Sequence, residues 1–300
     1  VSSLPGITYF EFINCPSLID ADDRLGYYIA CRGELEPWQG CTVERSIDGG
    51  ATYSTIANVT TAARMGQLLD NVSAASEYVL DTTNRIRFQM YGPDDSDMPS
   101  ITYTQLLQEG NAILVGDEIM QYQDATEESP GVWVLTTLVR GRLATSSAAH
   151  TAGDRVVLLS GATFIETSSS LLGVELTHRA TSYGNSPEDS AEYVNTWSPA
   201  YSQLEFSPCF LELERDGSDV ITATWTPRYR FGTTVNPIQS VNDRGFRVSF
   251  GDGSTTITLP DSYSTTATYD ASALGSPVTV TVQPINRITN KTGPNVSGVI

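Results

Sequence analysis

Apolar and polar residues alternate with a period of two along most of this chain, and the alternation comes in short runs separated by turn residues. Such a pattern puts one face on a core and the other in water, which predicts half-buried strands. Segments 26–32 (GYYIACR) and 41–46 (CTVERS) read as strands, and 47–50 (IDGG) is a tight turn that returns the chain through 52–56 as a β-hairpin. Segment 85–91 alternates basic or polar with apolar residues. Asp94, Asp95, Ser96 and Asp97, behind Gly92-Pro93, break the pattern and read as a solvated junction. Segment 103–109 is the best helix candidate, with Gly110-Asn111 as its stop. Beyond it, 112–115, 118–123, 131–139 and 155–159 form a meander. The division of 164–203 is less marked, with a strand at 173–179 and a loop at 183–187. Strands then recur at sandwich spacing at 210–214, 220–227, 245–250, 255–259, 267–269 and 278–282.

The expected fold class is therefore all-β, as tandem sandwich or meander modules in chain order. These are a sandwich-like module over 1–92, a meander module over 93–205 and a sandwich over 206–300. The 300-residue length suits two or three small β domains. Composition agrees, with Tyr outnumbering Phe and 40% apolar residues, enough for packed cores. The last module resembles a fibronectin type III domain, with Trp225 in the place of that family's core tryptophan.

A formal charge of −18 argues against nucleic acid as a partner, because phosphate binding needs a Lys/Arg surface. No apolar run approaches the roughly 20 residues of a membrane span, so membrane insertion is not expected. The start at Val1 rather than Met leads to the expectation of further sequence upstream. Cys15, Cys31, Cys41 and Cys209 lack CxxC spacing, so zinc is not expected. Cys15 and Cys209 read as small buried apolar residues, whereas Cys31 and Cys41 can close a short loop.

With His150 and His178 as the chain's two histidines, a triad or histidine metal centre would have to use one of them, and neither sits in a catalytic motif. His150 reads as fixing a turn by hydrogen bonding. Asp20, Asp22 and Asp23 carry the oxygen ligands calcium prefers but lack the EF-hand pattern, so they read as a solvated loop. No cofactor, metal or enzymatic activity is expected. The aromatic faces of Trp38, Trp133, Tyr183 and Trp197 suit the C–H side of a pyranose, though core packing is the favoured reading of each; Trp38, Tyr183 and Trp197 are the possible glycan contacts.

Three pieces of the middle segment stand in order. They are Gly116-Asp117-Glu118-Ile119, then Val139-Arg140-Gly141-Arg142, then His150-Thr151-Ala152-Gly153-Asp154. Together they resemble the C-terminal part of the baseplate hub proteins of siphophages and gene transfer agents. Thr145-Ser146-Ser147 departs from the Gly-Thr/Glu portion expected there. Glu118 can pair with Arg140 or Arg142 across neighbouring strands, while Gly141 and Gly153 permit turns that a Cβ would obstruct.

The resemblance implies a structural virion protein of a phage tail tip, a hub or fibre base. Its expected partners are other tail proteins, two further copies in a homotrimer, and a host-surface glycan or protein. The competing readings are an extracellular bacterial adhesin or carbohydrate-binding module, and an accessory region of a cell-wall hydrolase.

Overall fold

The computed structural model describes residues 6–92, 97–232, 237–290 and 293–300, so Asp94, Asp95 and Ser96 of the expected junction lie outside the described residues. The chain divides into two units, Val1–Cys15 with Gly26–Pro199, and Pro16–Leu25 with Ala200–Ile300. The architecture is all-β, as the alternation predicts. Its one α-helix among the described residues is short.

In the first unit the chain lays down β1 (Thr8–Ile13), β2 (Gly26–Gly33), β3 (Cys41–Ser46) and β4 (Ser54–Val59). It then makes β5 (Met65–Leu68), β6 (Ile86–Met90), α1 (Tyr103–Leu107), β7 (Ala112–Val115), β8 (Glu118–Ser129), β9 (Val132–Val139) and β10 (Arg155–Leu158). Strands β11 (Thr163–Glu166), β12 (Glu175–Ser182) and β13 (Glu192–Thr196) complete the unit. The sheets do not follow that linear order. Strand β11 pairs with β2, giving a sheet β1-β2-β11, and β12 pairs with β3, giving a sheet β13-β12-β3-β4.

These two sheets face each other as a sandwich. Phe10 and Phe12 of β1 and Tyr27 of β2 pack on His178 of β12, with ring centroids 5.3, 5.6 and 5.6 Å apart. All these side chains are buried, as expected of the inward half of alternating strands. Strands β5 to β10 instead close on themselves as a barrel in the order β10-β5-β6-β9-β8-β7. The barrel is thus inserted between β4 and β11. Its core is Phe88, Ile113, Tyr122, Trp133, Leu135, Leu138 and their neighbours.

The chain therefore divides differently from the expected boundaries. The 85–91 segment pairs with β5 and β9 in the barrel, not with the first module. Segment 163–196 belongs to the sandwich that begins at β1. The entry and exit of the barrel are neighbours, because Met65 of β5 lies opposite Val157 of β10 and Leu158 N–H donates to Arg64 O (2.8 Å). A domain whose ends meet can be threaded into a turn of another without breaking either core. Gly66 makes the β5–β6 approach possible, since a Cβ there would stand 1.9 Å from Gln89 O.

The helix is held by a capping box. Thr102 Oγ1 accepts from Gln105 N–H (3.3 Å), and Gln105 Oε1 accepts from Thr102 N–H (2.9 Å). It ends at Leu107, two residues short of the expected span, and Gly110 N–H donates back to Gln105 O (2.9 Å). Gln121 of β8 ties this end to the barrel by donating to Leu106 O (3.0 Å) and Gly110 O (2.9 Å).

In the second unit, β14 (Cys209–Arg215), β15 (Val220–Thr226) and β20 (Thr266–Asp270) form one sheet. Strands β18 (Asp243–Gly251), β19 (Thr256–Thr258), β21 (Thr279–Asn286) and β22 (Val296–Val299) form the other, in the order β19-β18-β21-β22. A small hairpin, β16 (Phe231–Gly232) with β17 (Pro237–Ile238), lies between β15 and β18. Trp225 is buried edge-on to Phe246 at 5.5 Å among Val248, Phe250, Val280 and Val282, the core position expected of it. The connectivity is that of a fibronectin type III domain. The first unit's sandwich has the same connectivity, with the barrel occupying the turn that here runs from β19 to β20.

A fragment covering residues 60–160 is expected to fold alone, giving a β-sheet circular dichroism spectrum and one cooperative urea transition. A spectrum of unfolded chain would contradict the inserted-domain reading.

Candidate functional site

The three motif pieces meet inside the barrel. Glu118 opens β8 after the Gly116 turn, Arg140 follows the end of β9, and His150 lies on the chain returning to β10. Strands β8 and β9 are antiparallel neighbours, with Gln121 opposite Val139, so the pairing register brings the start of one beside the end of the other. His150 is held by a two-way backbone pair with Val72, N–H to O 2.8 and 2.9 Å. Glu118, Arg140 and His150 are 2%, 1% and 5% exposed.

Glu118 accepts five hydrogen bonds. Its Oε1 takes Arg140 Nε–H (2.8 Å) and Gly141 N–H (2.9 Å); its Oε2 takes Arg140 Nη2–H (2.9 Å), Ala148 N–H (3.1 Å) and His150 Nε2–H (2.8 Å). The two bonds from Arg140 are the parallel fork that guanidinium makes with carboxylate. An ionised carboxylate only accepts, so the proton of His150 sits on Nε2. Arg140 spends its remaining donors on Ser73 O (3.1 Å), Ala148 O (2.7 Å) and Asp81 Oδ2 (3.2 Å).

Asp81 had no sequence signal. It is oriented by Thr83 N–H (3.1 Å), Asn84 N–H (2.9 Å) and Asn84 Nδ2–H (2.8 Å). Burial opposes ionisation of Glu118, but the bonds from Arg140, His150, Ala148 and Gly141 outweigh it and hold the carboxyl down at about 2. Burial likewise disfavours the Arg140 cation, yet its bonds to Glu118 and Asp81 raise it above its ordinary value.

The other singled-out residues surround this clamp. Gly141 adopts φ 60° with Glu77 Cγ 2.6 Å from where a Cβ would stand, whereas at Gly153 a Cβ would meet no obstruction and it is the φ of 96° that favours glycine. Asp154 caps the His150 turn by accepting from Thr151 N–H (3.0 Å), with its Oδ2 3.6 Å from His150 Nδ1. Asp117 is 97% exposed and pairs with Arg155 (2.8 Å). Arg142 does not join Glu118; it reaches Glu109 (3.2 Å) at the surface. Leu143 and Ala144 follow with φ 51° and 60°, a left-handed pair without glycine that this loop must stabilise from its surroundings.

Two expectations are corrected. Trp197 cannot stack on a sugar, because it is fully enclosed (0%) against Tyr27, centroid to centroid 5.9 Å. Trp38 is half-buried, its Nε1–H donating to Thr8 Oγ1 (3.0 Å), and Tyr183 keeps 37% exposure. Trp133 is buried in the barrel core. Asp23, read as part of a solvated loop, is buried in the second unit. It receives Arg230 Nη2–H (2.6 Å) and Ser240 Oγ–H (2.5 Å), while Arg230 Nε–H donates to Glu205 (3.0 Å). Nothing local predicts a partner this far along the chain.

His178 packs in the first sandwich core and accepts from or donates to Tyr27 Oη at 2.9 Å. Burial first, then the charge of Arg45, push it down to about 4, against a smaller opposing influence of the neighbouring Asn195 side chain. Among the described residues no group of three His, Cys, Asp or Glu side chains is placed to hold a metal ion, and no helix is long and apolar enough to cross a membrane.

Fold and site define a class: a fibronectin-type sandwich carrying an inserted six-stranded barrel closed by a buried ionic clamp, joined in sequence to a second such sandwich. Residues 63–157, which are the barrel, match the family described as "Rcc01698-like, C-terminal". None of the curated proteins compared matches the chain. Among solved structures, the chicken CNTN1 FN1–FN3 domains align over 99% of this chain and 98% of that one, at 8% identity and TM-score 0.24. A two-domain fibronectin type III segment of chicken tenascin aligns over 77% and 99%, at 12% identity and TM-score 0.25. The chicken interferon gamma receptor alpha chain aligns over 78% and 97%, at 14% and 0.27. Scores this low carry no argument, and the fold assignment rests on strand order and pairing.

Acid should destabilise the first unit in two windows. His178 is neutral in the fold, so its contribution is complete above its unfolded value near 6.5 and is lost as pH falls towards about 4. Glu118 contributes fully above its unfolded value near 4.3 and loses about 3 kcal/mol as pH falls towards 2. In urea titrations across pH, Glu118→Gln is expected to flatten the lower slope to the share that Asp81 and Asp48 carry, and to keep the upper. An unchanged lower slope would refute the ionised clamp.

Proposed function

We propose that this chain is a structural, non-enzymatic component of a bacteriophage-type tail tip, a baseplate hub or fibre base, located in the virion. The observation that carries the reading is the convergence of the three ordered motif pieces on Glu118, within the segment that matches the Rcc01698-like family. The resemblance of those pieces to hub proteins supplies the biological context. The bonds themselves supply the physical role: they join three chain segments of the barrel and leave Glu118 enclosed, which suits a scaffold better than a reaction centre.

On this reading the partners are other tail proteins and two further copies in a homotrimer. The terminal fibronectin-type sandwich is the element offered to a host-surface glycan or protein, where several weak contacts in one ring would act with avidity. A second reading, an adhesin or carbohydrate-binding module, draws on the partly exposed rings of Trp38 and Tyr183.

Cryo-electron microscopy of intact particles from the source is expected to show this chain at the tail tip in threefold copies. Its absence from particles, together with saturable glycan binding by the isolated chain that Trp38→Ala abolishes, would replace this reading with the second.

A further inference from the structure

Cys31 and Cys41 are free thiols on strands of opposite sheets in the first sandwich, Cys31 on β2 and Cys41 on β3. Both are fully enclosed, which places both side chains between the sheets. The pairing shows that the sheets come together at this level. Cys31 lies opposite Phe10, and two residues along the same faces Gly33 lies opposite Thr8. Cys41 lies opposite Ser182. Thr8 and Ser182 are joined across the sandwich by an Oγ1–Oγ hydrogen bond of 2.8 Å. The side chain of Cys41, with burial, favours the protonated form of Cys31, as a neighbouring thiol does.

We propose that Cys31 and Cys41 form a dithiol pair that a small-molecule disulfide, of the glutathione type, converts to an intramolecular disulfide stapling β2 to β3 through the sandwich core. One thiolate attacks a sulfur of the small disulfide, releasing one small thiol and leaving a mixed disulfide. The second thiolate displaces the other small thiol and closes the Cys31–Cys41 bond. Two protons pass to the released thiolates, the cysteine pair is oxidised by two electrons, and the small disulfide is reduced by two.

The remaining cysteines differ in kind. Cys15 is enclosed, with burial pushing its thiol up to about 12, while Cys209, expected to be buried, belongs to the other unit and is partly exposed at the start of β14. Because the neighbouring Cys41 and burial both keep Cys31 protonated, exchange in the folded chain is slow and proceeds through local opening.

The test uses the full chain with Cys209→Ser, which removes the exposed thiol. It is equilibrated with oxidised and reduced glutathione in two arms, once folded and once during refolding from urea. The chain is then unfolded and alkylated without reductant. The expected result, in the refolding arm at least, is one alkylated cysteine of the remaining three, a mass lower by two hydrogens and a peptide linking Cys31 to Cys41. The oxidised chain should also show a thermal midpoint for this unit raised by roughly 5–10 °C. Three alkylated thiols in both arms, or a link involving Cys15, would overturn the proposal. A lowered midpoint with the link formed would overturn the claim that the folded core accommodates the bond.

Discussion

The barrel depends on one buried cation. Arg140 carries its charge into a core built of Leu, Ile, Val, Phe and Trp, where an unpaired guanidinium would cost several kcal/mol. It is tolerated because Glu118 grips it through a two-bond fork and Asp81 takes a third donor. The arrangement acts in both directions. Glu118 could not remain ionised at 2% exposure without those donors, and the chain segments bearing Ser73, Asp81, Gly141, Ala148 and His150 are fixed by supplying or accepting the rest. A small closed barrel has no free edge to define its register, so a polar centre with many directional bonds specifies which loops meet at that end.

The second unit repeats the device with different residues. Arg230 is enclosed and shared between Asp23 and Glu205, and Asn286 Nδ2–H adds a bond to Glu205 (2.8 Å). The charged residues that matter structurally in this acidic chain are thus its few enclosed arginines. Exposed pairs such as Asp117–Arg155 contribute little, while other surface aspartates, Asp154 among them, fix turns by accepting backbone N–H bonds.

How much of this was legible in the sequence depended on range. The all-β class, the short helix before Gly110-Asn111, the turns at Gly141 and Gly153, and the Trp225 core position are written in local signals: period-two alternation, a glycine–asparagine stop, glycine at positive φ. The ordered motif pieces contained Glu118, Arg140 and His150 and suggested a pair of Glu118 with Arg140 or Arg142, but not that His150 joins it; only the register at β8–β9 separates the two arginines. What local pattern does not encode is which strands pair across long separations. The β2–β11 and β3–β12 pairings, which turn the first module into a sandwich interrupted by a barrel, span more than a hundred residues. The Asp23–Arg230 pair and the enclosure of Trp197 are of the same kind. An aspartate among aspartates reads as surface, and a tryptophan after a Thr does not declare which core encloses it, until the distant partners are in place.

The central claim is that the motif residues act as one ionic clamp rather than as independent surface or catalytic groups. A double-mutant cycle on Glu118→Gln and Arg140→Met, read by urea unfolding of the barrel at neutral pH, tests it most directly. The account predicts that each single change costs about 3 kcal/mol or more and that the double change costs less than their sum by about 2 kcal/mol or more. Additivity to within about 0.5 kcal/mol would mean the two groups do not sense each other, and would contradict it.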